Sequence, residues 1–159
     1  TSHGEAASDI PAVLLALRAT MVVAGNEGSR EIPADDFFTG FLETAMTETE
    51  MLTEIRVPKA PDALWSFQKF NCRAQDWAIV GASVFVNGDT CGVGLVNMDS
   101  RPRRATTVEA VVVNGADAVS AAALAADGME PPSDLNATAE FREHLARVLV
   151  QRGLTEAGR

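Results

Sequence analysis

Pro58-Lys59-Ala60-Pro61-Asp62 constrains the fold of this chain more than any other stretch. Its two prolines each lock φ and remove a backbone donor, so neither a helix nor a sheet ladder runs through it. The segment divides the chain into a front part, 1–58, and a back part, 62–159. Each has its own local signals.

In the front part, Ser8-Asp9-Ile10-Pro11 is a helix entry, with a capping side chain followed by a first-turn proline. A short apolar helix over Ala12–Leu17 follows. Ala19–Ala24 is β-branched and apolar, Gly25-Asn26-Glu27-Gly28 is a turn, and Ser29–Ile32 returns as the second arm of a hairpin. Ala34-Asp35-Asp36-Phe37-Phe38 starts a helix, with acidic residues at its positive end. Phe37, Phe38, Phe41 and Leu42 recur at helical spacing, which predicts core packing rather than a cofactor box. Thr47–Glu50 is an acidic turn and Met51–Val57 a strand.

The back part reads as strands and then helices. Leu64–Phe70, Trp77–Val86, Gly92–Asn97 and a fourth short segment form an antiparallel meander, with a hairpin turn at Asn87-Gly88-Asp89. One helix starts at Thr107 and ends near Asn114-Gly115. A second, alanine-rich, spans Ala116–Asp127. The longest spans Thr138–Arg152, with Phe141, Leu145, Val148 and Leu149 on one face, charges opposite and Gly153 as its stop. This order predicts an α+β fold with a sheet covered on one side, not a βαβ nucleotide fold.

A net charge of −9 disfavours nucleic acid and anionic membranes as partners. No apolar run approaches the ~20 residues of a membrane span. The first residues lack the basic start of a secretion signal, and Thr1–Glu5 reads as the middle of a loop, which predicts a fragment of something longer. Two cysteines, Cys72 and Cys91, lie in stretches that could pair as adjacent strands, and a reduced cytoplasmic setting is expected. Zinc is disfavoured, since His3 and His144 have no ligand-spaced companion.

Most familiar chemistry finds no support. Gly25, Gly28 and Gly40 have the wrong spacing for a phosphate loop, and Gly92-Val93-Gly94 is a lone glycine pair in a strand. Cys72 with either histidine carries no nucleophile signature. Asp35-Asp36 and the acids of 48–54 read as helix caps and turn residues. Arg101, Arg103 and Arg104 either grip a phosphate or acidic partner, or form a solvated loop. The suggestive stretch is Phe67–Gly81, where Lys69, Arg73, Asp76 and Trp77 fall within nine residues. They could hold a planar anionic cofactor by charge and stacking, or merely mark a solvated turn. The residues alone name no reaction.

Three separated segments carry a resemblance: Glu31–Phe41, Glu50–Pro58 and Phe67–Gly81, joined by Ala139–Leu145 in the closing helix. Together they resemble the FAD-binding medium subunit of molybdenum hydroxylases, most closely that of aerobic carbon monoxide dehydrogenase. The resemblance implies that 1–58 ends a PCMH-type FAD-binding α/β domain. It implies that 62–159 is a CO dehydrogenase flavoprotein C-terminal domain, an antiparallel sheet packed on three helices. It implies FAD contacts from Asp9, from the backbone of Leu52, from Lys69 beside the flavin's pyrimidine side, and from Asp76 and Trp77 around the ring. It places the molybdenum cofactor on a large partner subunit, iron–sulfur clusters on a small one, and a quinone-type acceptor downstream. The flavin subunit of a xanthine-, nicotine- or aldehyde-type hydroxylase is a variant of this expectation. A non-catalytic docking module using the Ser100–Arg104 loop and the helices is its rival. The family's glycine-rich phosphate motifs are expected upstream of residue 1, so this chain alone is expected to bind FAD weakly or not at all.

Overall fold

The proline-bearing segment is irregular and separates two antiparallel sheets in a computed structural model that describes residues 1–159. The front part opens with α1 (Asp9–Ala16), preceded by an extended Ser8 whose hydroxyl makes no capping bond. β1 (Thr20–Gly25) and β2 (Gly28–Pro33) form a hairpin with Gly25 opposite Gly28. Gly28 has a φ of 113°, which glycine adopts without strain. α2 (Ala34–Phe37) is a single turn, followed by a small hairpin of β3 (Phe38–Gly40) and β4 (Glu43–Thr44). β5 (Met51–Arg56) then returns to the far side of β1, giving the order β2-β1-β5.

The helix predicted from Phe37, Phe38, Phe41 and Leu42 stops after its first turn. Thr39 and Gly40 are poor helix formers, and Leu42 turns the β3–β4 hairpin at a φ of 55°. Phe37 and Phe38 are buried edge-to-face, 5.2 Å between centroids, while Phe41 is 69% exposed.

The back sheet runs β6 (Leu64–Phe70), β7 (Val80–Asn87), β8 (Thr90–Val96) and β9 (Arg103–Arg104) as neighbours in that order. Trp77–Ile79, predicted as strand, belong to the loop entering β7. Val80, Ala82, Val84 and Val86 of β7 and Cys91, Val93 and Leu95 of β8 face one way into the larger core. That face is covered by α3 (Thr106–Val113), α4 (Ala118–Ala122) and α5 (Ala139–Glu156). The alanine-rich segment is helical only over α4, where Asp117 accepts from the amides of Val119 and Ser120; turns follow. α5 begins at its Thr138 cap and runs through Gly153 rather than stopping there. Gly153 is a packing position: a Cβ on it would lie 2.7 Å from Val84 Cγ2.

The opposite face is covered too, contrary to the expectation of a one-sided sheet. α1, from the front part, lies across β8 and β7. The pair Gly92 and Gly94 is its seat. A Cβ on Gly92 would stand 1.9 Å from the carbonyl oxygen of Ala16, and one on Gly94 1.9 Å from that of Ala12. Only glycine lets the helix backbone approach the sheet this closely.

The basic segment 101–104 is neither a solvated loop nor an open anion grip. Arg101 Nη1 donates to the Phe38 carbonyl at 2.6 Å, and Arg103 pairs with Asp99 at 3.1 Å. Arg104 pairs with Glu109 and with Asp35, both at 2.5 Å, tying β9 to α2. Glu109, which is 4% exposed, also accepts from the Val93 amide at 2.8 Å. These arginines are engaged within the chain, so the charge of the loop is largely balanced by Asp99, Asp35 and Glu109. No helix is long and apolar enough to cross a membrane.

Candidate functional site

Alternation along β6 decides which side chains reach α1. Ser66 and Gln68 point to α5, where both bond Glu156. Lys69 therefore points to the α1 side. Its Nζ donates to Asp9 Oδ2 at 2.9 Å. Asp9 lies in the first turn of α1, where a carboxylate favours the helix dipole. Its other oxygen, Oδ1, is buried without a hydrogen-bond partner.

The chain leaves β6 at Phe70 and re-enters the sheet at Val80 through a loop closed by the Ile79 amide, which donates to the Phe70 carbonyl at 2.8 Å. The side-chain amide of Asn71 and the backbone amide of Asp76 both donate to the Arg73 carbonyl. Gln75 adopts a φ of 70°, and the following residues, Asp76 and Trp77, turn toward α1. The result is a cleft of about 300 Å³. Ala7–Ile10 line one wall and Gln75–Trp77 the other, with Lys69 between them. Trp77 is 64% exposed, leaving most of its indole open to a planar ligand.

Asp9, Lys69, Asp76 and Trp77 thus share one cleft. Leu52 does not line it. It is half-buried on β5, opposite Val23, packed against the front core. Arg73 is exposed at the loop tip. Cys72 is exposed on the loop between β6 and β7, and Cys91 is buried on β8; both are free thiols.

The side-chain charges of the cleft are one ammonium and two carboxylates, with the ammonium already engaged by Asp9. These side chains carry a net negative charge, unfavourable to a diphosphate, and leave the Trp77 face for the uncharged face of a ring. The residues fit the ring end of a flavin dinucleotide and not its diphosphate.

Two residues in the depression adjoining the cleft, which shares Ala7, Asp76 and Trp77 with it, escaped the sequence reading. Arg142 is 1% exposed on the packed face of α5, not among the charges opposite. The helical spacing Arg142, Leu145, Leu149 was the available signal. Asn97 bonds the Ala78 carbonyl at 2.9 Å, and nothing in its sequence context marks it.

Comparison with known proteins bears on both halves. Residues 2–60 match the family described as FAD binding domain in molybdopterin dehydrogenase. Residues 65–157, more than half of the chain, match the CO dehydrogenase flavoprotein C-terminal domain. The chain is 34% identical to the carbon monoxide dehydrogenase medium chain of Hydrogenophaga pseudoflava, over 98% of this chain and 58% of that one. It is 29% identical to the nicotine 6-hydroxylase medium subunit of Paenarthrobacter nicotinovorans, over 99% of this chain and 58% of the relative. The solved carbon monoxide dehydrogenase of H. pseudoflava superposes with a TM-score of 0.91 at 33% identity, covering 98% of this chain and 58% of that chain. Quinoline 2-oxidoreductase from Pseudomonas putida 86 gives a TM-score of 0.86 at 29% identity, covering 98% and 57%. The chain therefore spans rather more than half the length of these relatives. In sequence, in fold and in the order of its two matched regions, it belongs to the CO dehydrogenase flavoprotein family, a FAD-binding-domain segment of the molybdopterin dehydrogenases joined to the family's C-terminal domain.

Proposed function

We propose that this chain is part of the flavoprotein (medium) subunit of a molybdenum hydroxylase of the carbon monoxide dehydrogenase type. The observation that carries the proposal is the composite cleft: Asp9 comes from the region matched to the FAD-binding domain, Lys69, Asp76 and Trp77 from the C-terminal domain. A flavin held there would supply electron transfer. The residues of this chain orient it. Trp77 presents a ring face, Lys69 holds a positive charge where an anionic ring would need one, and Asp9 fixes that ammonium. Leu52, on β5 outside the cleft, belongs to the same reading only through its backbone.

The division into 1–58 and 62–159, a cytoplasmic location, a large molybdenum-cofactor subunit, a small iron–sulfur subunit and a quinone-type acceptor complete this reading. The 29% identity to a nicotine hydroxylase subunit keeps a second substrate in view. CO- against nicotine-dependent dye reduction by the assembled enzyme separates the two.

The test is the visible absorbance of bound flavin in the complete subunit. Stoichiometric flavin is expected, and Lys69→Ala should weaken its binding about ten- to a hundredfold, the range for losing one charge-assisted hydrogen bond. A flavin-free complete subunit refutes the proposal. The 159-residue chain alone should bind FAD weakly or not at all, because it holds no glycine-rich phosphate motif and the cleft's one side-chain cation, Lys69, is paired with Asp9. Tight equilibrium binding by the isolated chain would contradict that expectation.

A further inference from the structure

The two walls of the cleft come from segments far apart in sequence, yet one residue joins them underneath and a second anchors one of them. Asn97 stands just after β8 in the left-handed region, with a φ of 59°. Its backbone amide donates to the Ala6 carbonyl at 2.8 Å, at the foot of the Ala7–Ile10 wall. Its side-chain amide donates to the Ala78 carbonyl at 2.9 Å, at the foot of the Gln75–Trp77 wall. One residue thus grips both walls at once.

The next carbonyl, that of Ile79, is held from the other side of the sheet by Arg142. Its Nη1 donates to that oxygen, and its Nη2 donates to Asp134 Oδ2 at 2.7 Å. Asp134 is fixed in turn by accepting from the amides of Asn136 and Ala137 at 2.8 and 3.0 Å. The Nε of Arg142 is buried without a partner. A buried guanidinium is costly, and one with an unmet donor is costlier; an apolar side chain would serve packing better here. Its placement is accounted for by what it holds. Beside it, Phe141 meets Phe70 edge-on at 6.2 Å, so the first turns of α5 support both ends of the loop.

We propose that Asn97 and Arg142 are positioning residues that hold the two walls of the cleft in register, and thereby set its affinity for the flavin. The consequence for flavin rests on the function proposed above; the consequence for the walls does not.

The left-handed backbone of Asn97 offers a clean deletion. Asn97→Gly keeps the φ and the bond to Ala6 while removing only the grip on Ala78. Arg142→Met removes the hold on Ile79 with little change in volume, and Arg142→Lys keeps the charge but loses the fork. Hydrogen exchange is measured in the complete subunit, with flavin affinity and melting temperature recorded on the same samples. Exchange should quicken at residues 71–79 in both Asn97→Gly and Arg142→Met, while the β7–β8 amides stay protected. Flavin Kd should rise about tenfold in Asn97→Gly at nearly unchanged melting temperature, since small misplacements of a binding group are expensive. Arg142→Lys should restore less than half of the lost affinity.

Unaltered exchange at 71–79 in Asn97→Gly overturns the proposal, whether or not flavin binds. Faster exchange with unaltered flavin affinity overturns the claim that these residues tune the cofactor. Should the wild-type complete subunit hold no flavin, the functional reading falls, and the exchange comparison still decides the role of the two residues in the walls.

Discussion

Cys72 and Cys91 carry the same thiol into opposite settings. Cys72 sits on the exposed loop beside the cleft, while Cys91 is 2% exposed in β8. Burial pushes the Cys91 thiol up to about 11 from an ordinary 9.0, and the nearby Glu109 carboxylate adds to the shift. The native chain should therefore consume one equivalent of a thiol reagent rapidly, and the second only on unfolding. The sign of the pH effect follows from the raised value. The folded state holds the Cys91 proton more tightly than the unfolded state, so no stability is lost below about pH 9. Between about pH 9 and about pH 11 stability should fall more steeply in the wild type than in Cys91→Ala. Chemical denaturation of both proteins across that range checks this, and equal slopes would exclude Cys91 as the source.

At the level of elements, the contact between α1 and β8 is the least tolerant of change. Its closeness depends on the two missing side chains of Gly92 and Gly94, whose obstructions would be backbone carbonyls rather than movable side chains. Gly94→Ala should destabilise by at least the ~1–3 kcal/mol typical of overpacking, by displacing α1 as a unit. Gly81→Ala is the internal comparison. Its Cβ would stand 2.9 Å from Val96 Cγ2, a side chain able to yield. The denaturation midpoint should drop further for Gly94→Ala than for Gly81→Ala. Moving α1 also moves Asp9 away from Lys69, so the same substitution should disturb the cleft.

Across the whole molecule, the prolines at 58 and 61 suggest two units, and the packing binds them into one. α1 of the front part roofs the back sheet, and Arg104 links Asp35 of α2 to Glu109 of α3. Arg104→Ala should cost about 3 kcal/mol. That is the lower end for stripping a partner from a buried ion, because the Val93 amide and Arg18 still face Glu109. The chain should also melt in a single transition, with calorimetric and van't Hoff enthalpies in agreement. Two resolved transitions would show that the contact between front and back parts is too weak to couple them.

Local signals sufficed for most elements. The Asn87–Asp89 turn, the Thr138 cap and the β-branched runs bias backbone conformation over a few residues, and they act before any tertiary contact exists. The family was legible for a related reason: its resemblance lies in short strings, Glu31–Phe41, Glu50–Pro58 and Phe67–Gly81, read without any tertiary contact. What no local signal could supply is what lies against what. The two-residue period of a strand says which side chains share a face, but not that Gly92 and Gly94 face a helix eighty residues upstream. Helical spacing put Arg142 on a face with Leu145 and Leu149, but only the position of the Ile79 carbonyl explains a guanidinium there. The cleft itself is such a product of long-range packing: Asp9 meets Lys69 only because α1 crosses the back sheet, a contact set by close packing between segments distant along the chain.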